Sequence, residues 1–213
     1  MSNKFQIIVA DPPWGGFNDS LTMSDVKRGA ISNYPVMSNK DIMNIDIKSI
    51  ADPNGCVLAL WVPSSLLQIG MDVMKAWGFT QKQTWVWIKT KKDPFSKIRN
   101  KQNINWDQIN FDDFLSFGMG RLGRNVHELV LIGICGKVYN NVKNKSQRTV
   151  FFAPNTKHSR KPELLQDKLE LIFPDQSINK IEIFARRQRP NWVCLGDEID
   201  GLDIRDAISK LIL

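Results

Sequence analysis

The sequence predicts an α/β domain built on a mostly parallel sheet, and three observations predict it. Short β-branched apolar runs recur along the chain, each closed by a turn. Segments of helical period alternate with several of them. The chain has 213 residues, 42% of them hydrophobic and 24% charged, enough to bury a core without disulfides or metals. No apolar run approaches about 18 residues, so no membrane-spanning helix is expected. The opening stretch MSNKFQIIVADPPW reads as a strand and a turn, not as a secretory signal.

The elements follow in order. Residues 5–10 (FQIIVA) form a buried strand that stops at a Pro-Pro turn, and residues 57–62 (VLALWV) form a second. Met71, Met74 and Trp77 share one helical face, and Gly78 caps that helix. Residues 83–89 (QTWVWIK), 128–135 (ELVLIGIC) and 148–153 (RTVFFA) are strands. Pro162 opens a helix whose Leu165, Leu169 and Ile172 are spaced i, i+4, i+7. Residues 180–185 (KIEIFA) form a strand, 192–195 a last ordered stretch, and 203–213 a C-terminal helix. We expect one domain over residues 1–213, with residues 15–40 and 90–126 as substrate-facing loops.

Charge points to a partner. There are 29 Lys and Arg against 22 Asp and Glu, a net charge of +7, which suits phosphate-bearing ligands. The loop from residue 90 starts basic (KTKKDPFSKIRNK) and continues with Trp106, Phe111, Phe114 and Phe117. Those three Phe, spaced i, i+3, i+6, suit a small helix packed on the core; the alternative is stacking on bases. The cysteines Cys56, Cys135 and Cys194 sit in apolar runs, without Cys-x-x-Cys or Cys/His spacing. Buried, reduced thiols in a cytoplasmic protein and no metal site are therefore expected.

The chemistry-bearing stretch is Asp11-Pro12-Pro13-Trp14, directly after the first strand. Ligands of open α/β sheets bind at the carboxyl ends of strands, so Asp11 is aimed into that crevice. The two prolines lack N–H groups and stiffen the turn, leaving its carbonyls without local partners. Trp14 supplies a flat stacking face. Carboxylate, carbonyl and ring together suit a planar base with an exocyclic NH₂ group. Such an amine is a poor nucleophile because its lone pair is delocalised. Hydrogen bonds from its two N–H groups to Asp11 and the Pro12 carbonyl localise that pair and stabilise the charge developing on nitrogen.

Asp-Pro-Pro-Trp after a strand resembles the signature of amino-group methyltransferases that use S-adenosylmethionine. The rest of the chain closely resembles one branch, the mRNA N6-adenosine methyltransferase catalytic-subunit family with its bacterial and phage relatives. The landmarks run in order from ADPPW (10–14) through LWV, WGF, WVWIKT and HELVLIGICGK to HSRKPELL, KIEIFARR and PNWVCLGDEIDG (190–201). The resemblance implies a Rossmann-like class I methyltransferase fold with circularly permuted motifs, the catalytic strand preceding the cofactor strand. It also implies a mostly parallel sheet with an antiparallel edge hairpin.

Residue by residue, the resemblance implies catalytic roles for Asp11, Pro12, Pro13 and Trp14. Cofactor contacts would come from Asp11, Lys161, Phe184, Arg186, Asn191, Asp197 and Glu198. Asp197 and Glu198 stand where relatives often carry Asn-Gln, so they have no donor for adenine ring nitrogens. Lys161 also fits an anion site by itself, a cation beside a helix N-terminus. Substrate contacts would come from Tyr34, Lys89, Glu128, Lys91 and Lys92, with His127 positioning the substrate or serving the structure. A cysteine-rich zinc module and the family's strand and acid upstream of the catalytic strand are missing from this sequence.

The implied activity is methyl transfer from S-adenosylmethionine to the N6 amine of adenine, yielding S-adenosylhomocysteine without a metal. A compact member rich in Lys, Asn and Ile looks bacterial or phage-like, so DNA is the expected substrate and RNA the alternative. A third reading is a non-catalytic nucleic-acid-binding subunit, though such members typically lose the Asp-Pro-Pro-Trp motif kept here. Relatives work as homodimers or heterodimers, and the sequence does not choose between them.

Overall fold

The computed structural model describes residues 4–15, 36–96, 98–99, 104–118, 122–156 and 160–212. Among the described residues, seven strands form one sheet: β1 (Ile7–Ala10), β2 (Gly55–Val62), β3 (Thr80–Thr90), β4 (His127–Gly136), β5 (Val150–Pro154), β6 (Lys180–Ile183) and β7 (Val193–Leu195). Their order is β5-β3-β4-β2-β1-β6-β7. β1 pairs in parallel with β2 and β6, β3 with β5, and β6 with β7. The expected antiparallel component lies inside the sheet, not at its edge. β4 runs against both β2 and β3, and no tight hairpin joins β3 to β4.

The described residues also form five α-helices: α1 (Asn39–Met43), α2 (Leu67–Ala76), α3 (Leu164–Ile172), α4 (Asp197–Asp200) and α5 (Ile204–Ile212). α1 was not foreseen. It begins on Ser38, whose hydroxyl oxygen accepts from the Asp41 N–H at 3.1 Å and whose O–H donates to the Asp41 carboxylate at 2.6 Å. α2 ends before Gly78, whose φ of +85° is the left-handed turn the sequence suggested. α3 starts two residues after Pro162 and buries Leu165 and Leu169.

Every residue of β1 and β2 is buried, as expected of central strands covered on both faces. One core layer joins Ile8, Ala10, Leu58 and Leu60 to α1, α2 and α5. The other joins Ile7, Val9, Ala59 and Trp61 to Trp87, Phe151 and α3. Helices thus change sides between β1 and β6, strands that pair although about 170 residues apart. In an open α/β sheet such a reversal opens a crevice at the strand C-termini.

The segment after β3 folds back along the end of that strand. Ser116 N–H donates to the Lys89 carbonyl at 2.8 Å, and Lys91 N–H to the Phe114 carbonyl at 3.0 Å. Short 3₁₀ turns replace the expected small helix, because Asn105 and Asn110 each accept from the backbone two residues on. The core-packing expectation also fails: Phe111 is 64% exposed, Phe117 60% and Trp106 61%. Phe114 lies between Phe95 and Phe111, at ring distances of 5.6 and 5.9 Å.

Candidate active site

Three chain directions bring the site together. Asp11 follows the C-terminus of β1, Lys89 lies near the C-terminus of β3, and Glu128 is the second residue of the antiparallel strand β4. All three therefore stand at the same edge of the sheet. Lys161, just ahead of α3, inserts its ammonium between the acids, 3.2 Å from Asp11 Oδ1 and 2.9 Å from Glu128 Oε2. Lys89 reaches Glu128 Oε1 at 2.7 Å. Two indoles wall this chain of charges. The Lys161 ammonium is 5.6 Å from the Trp61 ring centre and the Lys89 ammonium 5.3 Å from that of Trp87. Trp61 and Trp87 meet edge to face at 6.0 Å.

Burial and charge compete at each member. Burial pushes the Asp11 carboxyl above its ordinary range; Lys161 pulls it down and the Glu128 charge pushes it up again. Burial would also raise Glu128, but Lys161 and Lys89 outweigh it and hold that carboxyl at about 2. Burial would depress Lys161, yet Asp11 and Glu128 hold its ammonium above the usual lysine range. The cluster therefore keeps a firm cation beside an unusually basic Asp11, the better hydrogen-bond acceptor of the two acids.

The Pro-Pro turn differs from expectation. The Pro12 carbonyl accepts from the Trp14 N–H at 2.9 Å and the Pro13 carbonyl from the Met37 N–H at 2.9 Å. A carbonyl has two lone pairs, so Pro12 keeps acceptor capacity. Trp14 is 6% exposed, and its indole N–H donates to the Trp61 carbonyl at 3.0 Å. Its ring is a core element that ties the turn to β2, not an open stacking platform.

A second group gathers at the end of β6. Phe184 turns into the left-handed region at φ 62°, which a bulky residue rarely adopts, and so ends β6 before Ala185. A Cβ on Gly196 would lie 2.3 Å from the Ala185 carbonyl oxygen, so only glycine lets the loop after β7 approach. That approach brings Asp197 and Glu198, both exposed at the start of α4, beside the end of β6. Arg186 Nη1 lies 3.6 Å from Glu198 Oε1. Asn191 is exposed with φ 63°.

Other expected site residues are not drawn into the charged cluster. Lys91 donates to the Asp113 carbonyl at 2.6 Å, and Lys92 is exposed. Tyr34 and most of the 15–40 loop lie outside the described residues, as does His158. Among the described residues, no group of three or more His, Cys, Asp or Glu is placed to hold a metal ion. Sequence reasoning missed Arg189, which pairs with Glu163, Asp167 and Glu170 at 2.7–3.1 Å and so braces α3 behind Lys161. It also missed Trp61 and Trp87 as walls of the site. Their signal was present, since each Trp stands close to the charged end of its strand.

Strand order, the change of sides at β1 and β6, and the charged groups at that crevice are consistent with a Rossmann-like methyltransferase fold. The chain belongs to the MT-A70 family, whose profile matches residues 5–198. It is 27% identical over 210 residues to the type II methyltransferase M.MunI of a Mycoplasma species, covering 92% of this chain and 78% of that one. It is 26% identical to the Drosophila melanogaster N(6)-adenosine-methyltransferase MT-A70-like protein, over 95% of this chain and 28% of the relative. It is 24% identical to the human N(6)-adenosine-methyltransferase catalytic subunit METTL3, over 95% and 30%. The chain thus spans under a third of the fly and human proteins.

Proposed function

We propose that the chain transfers a methyl group from S-adenosylmethionine to the N6 amine of adenine in DNA, acting in a bacterial or phage-infected cytoplasm. The observation that carries the proposal is the basic Asp11 carboxylate at the tip of β1, held by Lys161 next to the Pro12 carbonyl. Two acceptors on one stiff turn match the two N–H bonds of an exocyclic amine.

The residues present fit the cofactor. Lys161 offers an ammonium that stays protonated, suited to a methionine carboxylate. Arg186, Asp197 and Glu198, gathered by the Gly196 approach, are suited to the hydroxyls and amine of the nucleoside part. When bound, S-adenosylmethionine supplies an electrophilic methyl group. Asp11 and the Pro12 carbonyl would accept from the two N–H groups of the amine and so turn its nitrogen lone pair toward that methyl group. The nitrogen then sheds one proton. The positively charged arylamine nitrogen is a strong acid, so no side chain is needed to take that proton. The proton leaves to water.

DNA is the reading supported by M.MunI, a relative of which the chain covers 78%. N6-adenosine methylation of RNA is the second reading, supported by the N(6)-adenosine-methyltransferases. In either case the exposed Trp106, Phe111 and Phe117 offer faces for unpaired bases, and Lys91 and Lys92 offer charge for phosphates. A duplex target must first flip its adenine out, at a cost of a few kcal/mol.

The test supplies S-adenosylmethionine with duplex DNA, single-stranded DNA or RNA and measures N6-methyladenine by mass spectrometry, with Asp11→Ala as control. Product on DNA that vanishes in the variant supports the proposal. Product on RNA alone selects the second reading. Cofactor binding without product points to a missing partner subunit or target motif, and neither binding nor product overturns the enzyme.

A further inference from the structure

Cys56 and Cys135 lie far from the charged cluster, at the opposite end of the β2–β4 ladder. They are direct partners in its antiparallel register. Partners opposite each other share one face of a sheet, and both thiols pack into the same core layer. Opposed residues in antiparallel pairs have Cα atoms about 4.5 or 5.5 Å apart, both inside the disulfide range of about 4.4–6.8 Å. The two thiols are not alike. Cys56 is fully buried, whereas Cys135 is half-buried, which corrects the expectation that all three cysteines are buried. The Cys135 thiol also points back to the Asp52 carbonyl at 3.7 Å. A cavity of about 440 Å³ opens at this end of the sheet, lined by Asp52, Gly55 and Lys137, the residues that flank the pair.

We propose that Cys56 and Cys135 form an oxidant-sensitive dithiol that closes to a cross-strand disulfide when the chain meets a hydroperoxide. The reaction balances as two thiols and one hydrogen peroxide giving one disulfide and two waters. The Cys135 thiolate attacks the peroxide O–O bond and becomes a sulfenic acid as hydroxide leaves and is protonated. The Cys56 sulfur then displaces the sulfenic oxygen as a second water, so sulfur is oxidised and oxygen reduced. The order follows from the environment. The neighbouring Cys56 S–H lowers Cys135 to about 7, against burial and the Asp52 charge, while burial pushes Cys56 well up. The half-buried sulfur is therefore the attacking thiolate and the fully buried one the resolving thiol. Cys194 is buried on β7, and burial raises its thiol. It provides an internal control.

The experiment treats the wild-type chain with hydrogen peroxide at pH values from 6 to 8, then quenches, denatures and counts thiols. Three thiols should fall to one, with a mass loss of about 2 Da. A non-reducing peptide map should join Cys56 to Cys135, and dithiothreitol should reverse the change. The rate should climb about tenfold per pH unit below 7 and level off above it. On the reduced chain, phenylarsine oxide should bind once and block the same two thiols. Three surviving thiols, a link through Cys194, links between chains, or a sulfenic acid at Cys135 that never closes would each overturn the proposal.

Discussion

Lys161 stands 3.2 Å from Asp11 and 2.9 Å from Glu128, so one ammonium joins two carboxylates that lie 117 residues apart in the chain. The acid that opens the Pro-Pro turn is therefore held by a residue from the far third of the sequence. Four charges, two of each sign, run from Asp11 through Lys161 and Glu128 to Lys89.

Removing that ammonium leaves two acids facing each other with partial burial and no shared partner. In Lys161→Met, methyl transfer should fall at least about a hundredfold, because an electrostatic contact at the reacting edge is lost. Lys161→Arg should restore part of it, since charge returns but the guanidinium fork does not fit a point-charge site. Steady-state kinetics decide this, and a Met variant within threefold of wild type would count against the assignment.

Glu128 sets a pH dependence of stability. Its folded carboxyl sits at about 2, below its ordinary value. Its contribution is present above about pH 5 and is lost as pH falls toward 2, roughly 3 kcal/mol in all. Asp11 has the opposite sign, because its raised carboxyl favours the fold less as pH rises. Denaturant unfolding of wild type and Glu128→Gln should therefore converge near pH 2 and separate up to pH 5. Parallel curves across that range would show that Glu128 is not so held.

Trp14 tests the distinction between core and platform. Trp14→Phe keeps a ring but removes the N–H that donates to the Trp61 carbonyl. The expected loss is about 1–2 kcal/mol of stability, from the buried carbonyl left unpaired. Nucleic-acid affinity should change by less than about threefold. A stable variant with weakened binding would return Trp14 to the surface role.

The exposed rings behave in the converse way. Trp106→Ala or Phe111→Ala should leave stability within about 0.5 kcal/mol, since neither ring is in the core. Each should weaken single-strand binding by about 1–3 kcal/mol if bases stack there. Titrations at two salt concentrations separate this from Lys91→Ala, which should flatten the salt dependence instead.

Much of the fold was legible because its signals are local. The apolar runs of β1 and β2, the i, i+4, i+7 face of α3 and the Gly78 cap all report backbone period or backbone conformation. α1 and α4 were hidden in polar stretches too short to show a period. The spacing of Phe111, Phe114 and Phe117 misled, because a three-residue period is also that of 3₁₀ turns nucleated by Asn105 and Asn110.

The sequence by itself determined where Asp11 stands, at the tip of a buried strand, and that a stiff Pro-Pro turn follows it. It also carried the family and the candidate residues Lys89, Glu128 and Lys161. Only the tertiary structure decided that β4 runs antiparallel within the sheet, which turns Glu128 toward Asp11 instead of away from it. It likewise decided that Trp14 faces inward, that Cys56 opposes Cys135, and that Lys161 lies between two acids. Side-chain period is encoded within a few residues, whereas strand order, direction and register are set by burying both faces of the sheet at once.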